Sequence, residues 1–199
     1  MDRLAISEAG LEERRKKLPR RLRRLVPQPS YVQAIYHPLG PFISAIALHQ
    51  GQRAGLSHEE YRISLLGVRL SVAYYEIWRY VGALGGKRRR KSNSLIGSDY
   101  YRLEKAYLHI FTPKPSGQEE KVLFFHCDPQ ESRGSKHFRY KASPHLHLEI
   151  AGDPWRRAHI PLCDGWQHQV LENLDTLDTA ITRVVDFVAD QVIPLVREN

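Results

Sequence analysis

The stretch Pro-His-Leu-His-Leu-Glu-Ile, residues 144–150, alternates polar and apolar side chains without interruption. Successive side chains of a β-strand point to opposite faces, so this alternation predicts a strand with two chemically different faces. The polar face carries His145, His147 and Glu149. Because the leucine and isoleucine side chains must be buried, we expect the histidines on the side of the sheet that faces away from the core.

The two-residue period begins near residue 101 and continues through most of the following sixty residues. Residues 103–112 and 121–127 flank a loop rich in proline and glycine, which is typical of a β-hairpin. Further short strands are expected over residues 136–141 and 158–162. Strands joined by short connections form antiparallel sheets, so the sequence predicts an antiparallel sheet of about four to five strands.

The N-terminal residues predict a basic helix with one apolar stripe. Over residues 7–25 the leucines at 11, 18, 22 and 25 fall on one side, and arginine and lysine occupy most of the remainder. Ser7 is the expected N-cap, and Pro19 is expected to break or kink the helix.

The segment before the sheet is interpreted as helical. A short helix is expected over residues 42–49. A longer one is expected over about 58–84, because a serine–glutamate capping box at 57–60 precedes apolar residues at helical spacing. Two glycines at 85–86 would end that helix.

A C-terminal helix is expected over about residues 175–195, covering the leucine face of the sheet. Its apolar face would consist of Leu177, Ile181, Val184, Val188 and Leu195. Pro194 would end the helix. Three aspartates would lie outside the apolar face, namely Asp178, Asp186 and Asp190.

The predicted fold class is therefore α+β, with a helical N-terminal half and a sheet covered on one face by a C-terminal helix. A basic helix and linker would occupy residues 1–29, and one α+β domain would occupy residues 30–199. Within that domain we expect a helical region over about residues 40–86, a basic loop over 87–99, the sheet over about 101–163 and the C-terminal helix over about 175–195.

The net charge of +8 is concentrated in two segments. Residues 1–26 hold nine basic and four acidic side chains, and residues 87–91 are five consecutive lysines and arginines. Each segment therefore carries +5, and the rest of the chain is slightly acidic. Such clustering is typical of proteins that contact a polyanion. The expected partners are nucleic acid or an acidic protein, contacted through Lys87, Arg88, Arg89, Arg90, Lys91, Arg20, Arg21, Arg23 and Arg24, with Arg139 as a phosphate contact near the sheet.

Seven of the ten histidines lie beyond residue 105, and nearly every predicted strand carries one. His145 and His147 are candidates for acid–base catalysis of phosphodiester cleavage, with Glu149 and His126 in support. The same pair is a candidate ligand set for a divalent metal, because a His-x-His pair on a strand has suitable spacing. The opposing interpretation is that these histidines are solvated side chains on an exposed sheet face.

The sequence thus predicts a nucleic-acid-associated protein, in one interpretation a small nuclease and in the other a non-catalytic accessory protein. It contains no phosphate-binding glycine loop, no nucleophile elbow and no Cys-x-x-Cys pair. Charged residues interrupt every apolar stretch well before ~18 residues, so no membrane span is expected. Two cysteines and no secretory signal favour a cytoplasmic location.

Overall fold

The computed structural model describes residues 4–26, 33–38, 43–49, 62–65, 67–83, 99–113, 116–117, 119–129, 145–148, 158–161 and 173–197. Within these ranges, no helix is long and apolar enough to cross a membrane. The remaining residues include three parts of the predictions, namely the basic segment 87–91, the strand expected over 136–141 and the capping box at 57–60.

The described residues form a mixed α/β structure built on one antiparallel sheet. Its nine strands are β1 (Ala5–Ser7), β2 (Gln33–Pro38), β3 (Ile43–His49), β4 (Ile63–Ser64), β5 (Ser71–Ala83), β6 (Asp99–Pro113), β7 (Glu119–Cys127), β8 (His145–Leu148) and β9 (Ala158–Pro161). Seven strands lie side by side in the order β2-β3-β5-β6-β7-β8-β9. The short strands β1 and β4 pair with β6 and β5.

The helices predicted before the sheet are wrong, and this is the main correction to the fold. Residues expected in the long helix instead form β4 and the 13-residue strand β5, and the short helix over residues 42–49 is β3. β5 lies between β3 and β6 in the sheet, and its residues Val72–Trp78 are buried on both faces. An almost continuous apolar run matches a helical period and a strand period equally well, but its aromatic and β-branched residues favour a strand.

The predictions from residue 101 onward agree better with the structure. β6 and β7 form the expected hairpin, and β8 and β9 lie within the strands predicted around residues 144–150 and 158–162. The sheet has more than the expected four to five strands because the region interpreted as helical contributes β3 to β5, and residues before it form β1 and β2.

A β-bulge at Glu104 determines which residues of β6 point to each face of the sheet. Ile77 of β5 pairs with Lys105, whereas the next residue, Trp78, pairs with Leu103, so Glu104 is the extra residue. Before the bulge the odd-numbered Leu103 is in the core, and after it the even-numbered residues 106, 108 and 110 are.

The N-terminal helix is confirmed as α1 (Glu8–Arg21), capped by Ser7, whose hydroxyl accepts a hydrogen bond from the backbone N–H of Gly10. The leucines at 11, 18, 22 and 25 are all buried in the main core, as the apolar stripe predicted. The helix continues through Pro19 for two further residues.

The C-terminal helix is also confirmed, with two corrections. Its parts are α2 (Leu174–Phe187), a π-helical turn (Val188–Val192) and α3 (Ile193–Arg197). Helical structure therefore continues past Pro194, because the wider π turn before it accommodates a residue that has no backbone N–H to donate. Leu195 is exposed and Asp178 is buried, the reverse of their predicted positions.

The helices pack on one face of the sheet, and the main core lies between them. Residues from α1, the sheet and the C-terminal helix belong to one buried cluster, in which Leu146 of β8 joins Phe125, Leu177 and Ile181. The prediction that the leucine side of β8 packs toward the last helix is therefore confirmed for Leu146. The histidine side faces away from both helices.

A buried charge network, which the sequence patterns did not reveal, joins α1 to the sheet. Glu76 of β5 is fully buried and accepts two hydrogen bonds from the guanidinium of Arg14, at 2.7 and 2.6 Å. Tyr74 and Trp78 donate two more to the same carboxylate, at 2.5 and 3.0 Å. Burial alone would lower the pKa of Arg14, but the attraction of Glu76 outweighs it and holds that pKa well above its ordinary value.

The same arginine reaches the C-terminal helix. Arg14 donates to Asp178 at 2.9 Å, and Arg21 pairs with the other oxygen of Asp178 at 2.6 Å. One guanidinium therefore connects α1, β5 and α2, which explains why Asp178 is buried.

Replacing Arg14 should destabilise the fold strongly. Arg14→Met leaves Glu76 buried without its cation, and breaking a buried ion pair in this way costs about 3–5 kcal/mol. Urea denaturation followed by circular dichroism would measure the loss. The matched control is Arg15→Met, since Arg15 pairs with Glu12 on the outer side of α1 and its loss should hardly move the midpoint. Equal effects of the two substitutions would contradict a special role for the buried network.

Candidate histidine centre

Strand pairing brings His126 beside the two histidines of β8. His145 lies directly opposite His126 in the register, and His147 lies opposite Phe124. Residues that face each other across antiparallel strands project from the same side of the sheet. The ring centroids of His126 and His147 are 4.8 Å apart, and those of His145 and His147 are 4.5 Å apart. The structure thus brings three of the predicted site residues into one cluster, which we call the histidine centre.

The nitrogen atoms of the histidine centre converge. One ring nitrogen from each of His126, His145 and His147 lies within 4.8 Å of the other two. The Nε2 atoms of His145 and His147 are 2.6 Å apart. Two neutral imidazoles at that distance can share one proton, with one nitrogen donating and the other accepting.

Burial at the histidine centre is uneven. His145 is fully buried and His147 is 8% exposed, so the expectation that these two histidines line an open face is wrong. His126 and Phe124 are only half-buried. The centre therefore meets solvent at β7, and its deeper ligand atoms belong to β8.

His109 extends the cluster onto β6. It lies opposite Phe124, and its Nε2 atom is 3.2 Å from Nε2 of His126. Its side chain is buried. Alternation within the hairpin made His109 a possible neighbour of β8, but the sequence could not specify that it bonds to His126.

Tyr107 is a β6 residue that sequence reasoning missed. Its ring stacks on His126 with centroids 4.1 Å apart, and its hydroxyl donates a hydrogen bond to Asp128. Burial, reinforced by the Asp128 carboxylate, raises the pKa of Tyr107 above its ordinary value. The phenol therefore stays protonated and remains a donor to Asp128.

The N-terminal arginines predicted to bind nucleic acid lie on the helix side of the sheet. Arg24 pairs with Asp186 and Asp190, each at 2.5 Å, and Arg21 pairs with buried Asp178. Their charges are thus partly matched within the fold. The predicted contacts Arg20 and Arg23 are exposed. The remaining candidates, Glu149, Arg139 and the basic segment 87–91, lie outside the described residues.

The histidine centre has the ligand chemistry of a first-row metal site. Three neutral imidazoles are a typical set for catalytic zinc, which keeps a fourth position for water or substrate. Tetrahedral zinc with Zn–N bonds of about 2.0–2.1 Å separates its nitrogens by about 3.3 Å. Small side-chain rotations that widen the His145–His147 pair and bring His126 closer would reach that geometry. Cys127, the neighbour of His126, is buried on the opposite face, so its sulfur does not belong to the set.

No known protein family, curated protein or solved structure matches this chain. The chemistry of the described residues is therefore what indicates its function.

Metal binding at the histidine centre should be measurable directly. We expect one equivalent of Co²⁺ to give the visible absorption of a low-symmetry, nitrogen-bound site, and Zn²⁺ to displace it. Replacing His147 or His145 by Ala should abolish that signal because two imidazoles cannot complete the set. Cys127→Ala is the control, and it should leave the spectrum unchanged. A signal that survives both histidine substitutions would place the metal elsewhere.

Proposed function

We propose that this protein is a metal-assisted hydrolase of phosphodiester bonds in nucleic acid. In this proposal His126, His145 and His147 hold a divalent first-row ion, with Zn²⁺ the best match. The observation that carries the proposal is the convergence of three imidazoles from two neighbouring strands, with one half-buried member facing solvent.

The ligand set favours hydrolysis over a purely structural metal. Structural zinc sites are usually closed by four protein ligands, whereas catalytic sites have three and leave one position open. Among the described residues, three ligand groups converge at the histidine centre. An ion bound there would lower the pKa of a coordinated water to about 7 and would offset charge on a phosphate oxygen.

The protein's own residues would orient and shield the reaction. His109 and Tyr107 contact His126 from β6 and fix its ring in one orientation. Burial of His145 and His147 lowers the local dielectric and strengthens electrostatic interactions with the substrate. Hydrolysis adds the oxygen of water to phosphorus and releases one ester oxygen as a hydroxyl, so only protons have to be moved.

The choice of a phosphodiester substrate rests on charge. Two short segments carry +5 each, and clustered basic charge attracts a polyanion. The accessory-protein hypothesis explains this charge equally well, but it gives no reason for the histidine centre. It also relies on N-terminal arginines, two of which are paired with aspartates of the C-terminal helix.

A metal-free mechanism is the second candidate, and the His145–His147 pair is the observation that favours it. In acid–base cleavage one imidazole of this pair would remove the 2′-hydroxyl proton and the other would protonate the leaving oxygen, and the two ring nitrogens, 2.6 Å apart, would have to separate around the phosphate. This mechanism would cleave RNA only and would not need a metal.

A cleavage assay separates these hypotheses. Purified protein is incubated with labelled single-stranded RNA and DNA in EDTA and with Zn²⁺, Mn²⁺ or Mg²⁺. We expect cleavage only with added transition metal, and a loss of about 100-fold or more in the His145→Ala and His147→Ala variants. Cys127→Ala should cleave like the unaltered protein.

Cleavage of RNA in EDTA that the histidine variants abolish would establish the acid–base mechanism and exclude the metal. Failure to cleave either polymer under all conditions would overturn the hydrolase proposal. Retained binding without cleavage would then favour the accessory-protein hypothesis.

A further inference from the structure

Resting on the metal site of the proposed function, we propose that His109 is a positioning residue that determines which nitrogen of His126 binds the metal. In this arrangement Nε2–H of His126 donates to Nε2 of His109, and Nδ1 of His126 is the metal ligand. His145 and His147 bind the same ion through Nε2. The inference assigns the ligand atom of each histidine and adds a fourth histidine, which acts through His126.

The contact between His126 and His109 defines how the two rings are oriented. Their ring centroids are 5.3 Å apart, whereas their Nε2 atoms are 3.2 Å apart. Each Nε2 atom therefore lies on the side of its ring that faces the other ring. A separation of 3.2 Å is within hydrogen-bonding range, and between two neutral imidazoles one nitrogen donates and the other accepts.

The topology of the sheet separates this contact from the β8 histidines. Strand β7, which carries His126, lies between β6 and β8, so His109 belongs to the strand on one side and His145 and His147 to the strand on the other. The two nitrogens of an imidazole are separated by a ring carbon and point in widely different directions. With Nε2 directed at β6, Nδ1 is the nitrogen of His126 that can be directed at β8.

The two histidines of β8 face each other through their Nε2 atoms. The ring centroids of His145 and His147 are 4.5 Å apart, whereas the Nε2 atoms are 2.6 Å apart. By the same comparison, both Nε2 atoms lie in the space between the two rings. An ion bound beside that space would therefore contact two Nε2 atoms from β8 and one Nδ1 atom from β7.

Neighbouring aromatic rings hold the His126–His109 pair in place. Tyr107 stacks on His126 with centroids 4.1 Å apart and an angle of 22° between the ring planes. His109 is buried, and the rings of Tyr75 and Phe124 contact it edge-on with centroids 5.9 and 5.6 Å away. A half-turn of either histidine ring would put a carbon atom in the place of Nε2 and break the hydrogen bond.

The hydrogen bond to His109 prepares His126 for the metal. In a histidine, the nitrogen that binds metal is set by the hydrogen bond that the other nitrogen makes. When Nε2–H donates to His109, the lone pair of the neutral ring is on Nδ1, so the ligand has the required tautomer before the ion arrives. Outer partners of this kind contribute about 10- to 100-fold to metal affinity or activity.

The direct test is NMR spectroscopy of zinc-loaded protein labelled with nitrogen-15. Correlations between ring nitrogens and the carbon-bound ring protons distinguish Nδ1 from Nε2, and the nitrogen chemical shifts show which atom is protonated and which is metal-bound. We expect His126 to have a metal-bound Nδ1 and a protonated Nε2, and His145 and His147 to have a metal-bound Nε2. Zinc bound to Nε2 of His126 would overturn the inference.

Zinc affinity, measured by competition with a chromophoric chelator, gives the contribution of His109. His109→Phe fills the same space among aromatic rings but cannot accept a hydrogen bond, so we expect the affinity to fall by about 10- to 100-fold. His109→Gln keeps a side-chain oxygen that can accept from Nε2–H of His126, and it should restore most of the affinity. Equal losses in the two variants would contradict an effect through the hydrogen bond.

The matched control changes the packing around His109 and keeps both nitrogens of the pair. Phe111 is buried, and its ring centroid is 6.2 Å from that of His109. Phe111→Leu should lower the melting temperature but leave the zinc affinity and the NMR pattern of His126 unchanged. A loss of affinity as large as that of His109→Phe would show that packing is responsible and would overturn the inference.

The outcomes separate this inference from the proposed function. If zinc binds with the expected pattern of nitrogens but neither RNA nor DNA is cleaved, the hydrolase proposal fails and the role of His109 stands. If cleavage requires zinc but His126 binds the ion through Nε2, the role of His109 fails and the hydrolase proposal stands.

Discussion

A carboxylate at the centre of the sheet, that of Glu76, determines how the elements are arranged around it. A buried charge is stable only when its hydrogen-bonding capacity is satisfied, and here a guanidinium, a phenol and an indole supply the donors. The guanidinium belongs to Arg14, so α1 must lie on this face, and Asp178 brings the C-terminal helix to the same side. The histidine centre lies on the opposite face of the sheet, away from α1 and the C-terminal helix.

Helices and strands whose apolar residues recur with a clear period could be predicted from the sequence. The N-terminal and C-terminal helices each have one apolar stripe, and the hairpin and β8 alternate between apolar and polar residues. β5 could not be predicted by pattern because it is buried on both faces. Arg14 was predictable in part, since it stands three residues after Leu11 and four before Leu18 and so falls on the buried stripe.

The histidine centre was predictable to the extent that it depends on alternation within one strand. His145 and His147 share a face because they are two residues apart. Their neighbours depend on the register between strands, which bulges and connections determine and which the hydrophobic pattern leaves open. For this reason the sequence identified His126 as a candidate but did not reveal that Tyr107 stacks on it or that His109 bonds to it.

The bulge at Glu104 has a consequence for how this chain can change in length. Shortening a regular strand by one residue turns every later side chain to the opposite face. Deleting Glu104 would not turn the later side chains over, because Glu104 is the extra residue that interrupts the alternation between Leu103 and Lys105. A deletion there would leave a regular strand with Lys105 and Tyr107 still on the histidine face. Homologues that lack one residue at this point could therefore keep the same site, whereas a deletion within Lys105–Phe111 would turn part of it into the core.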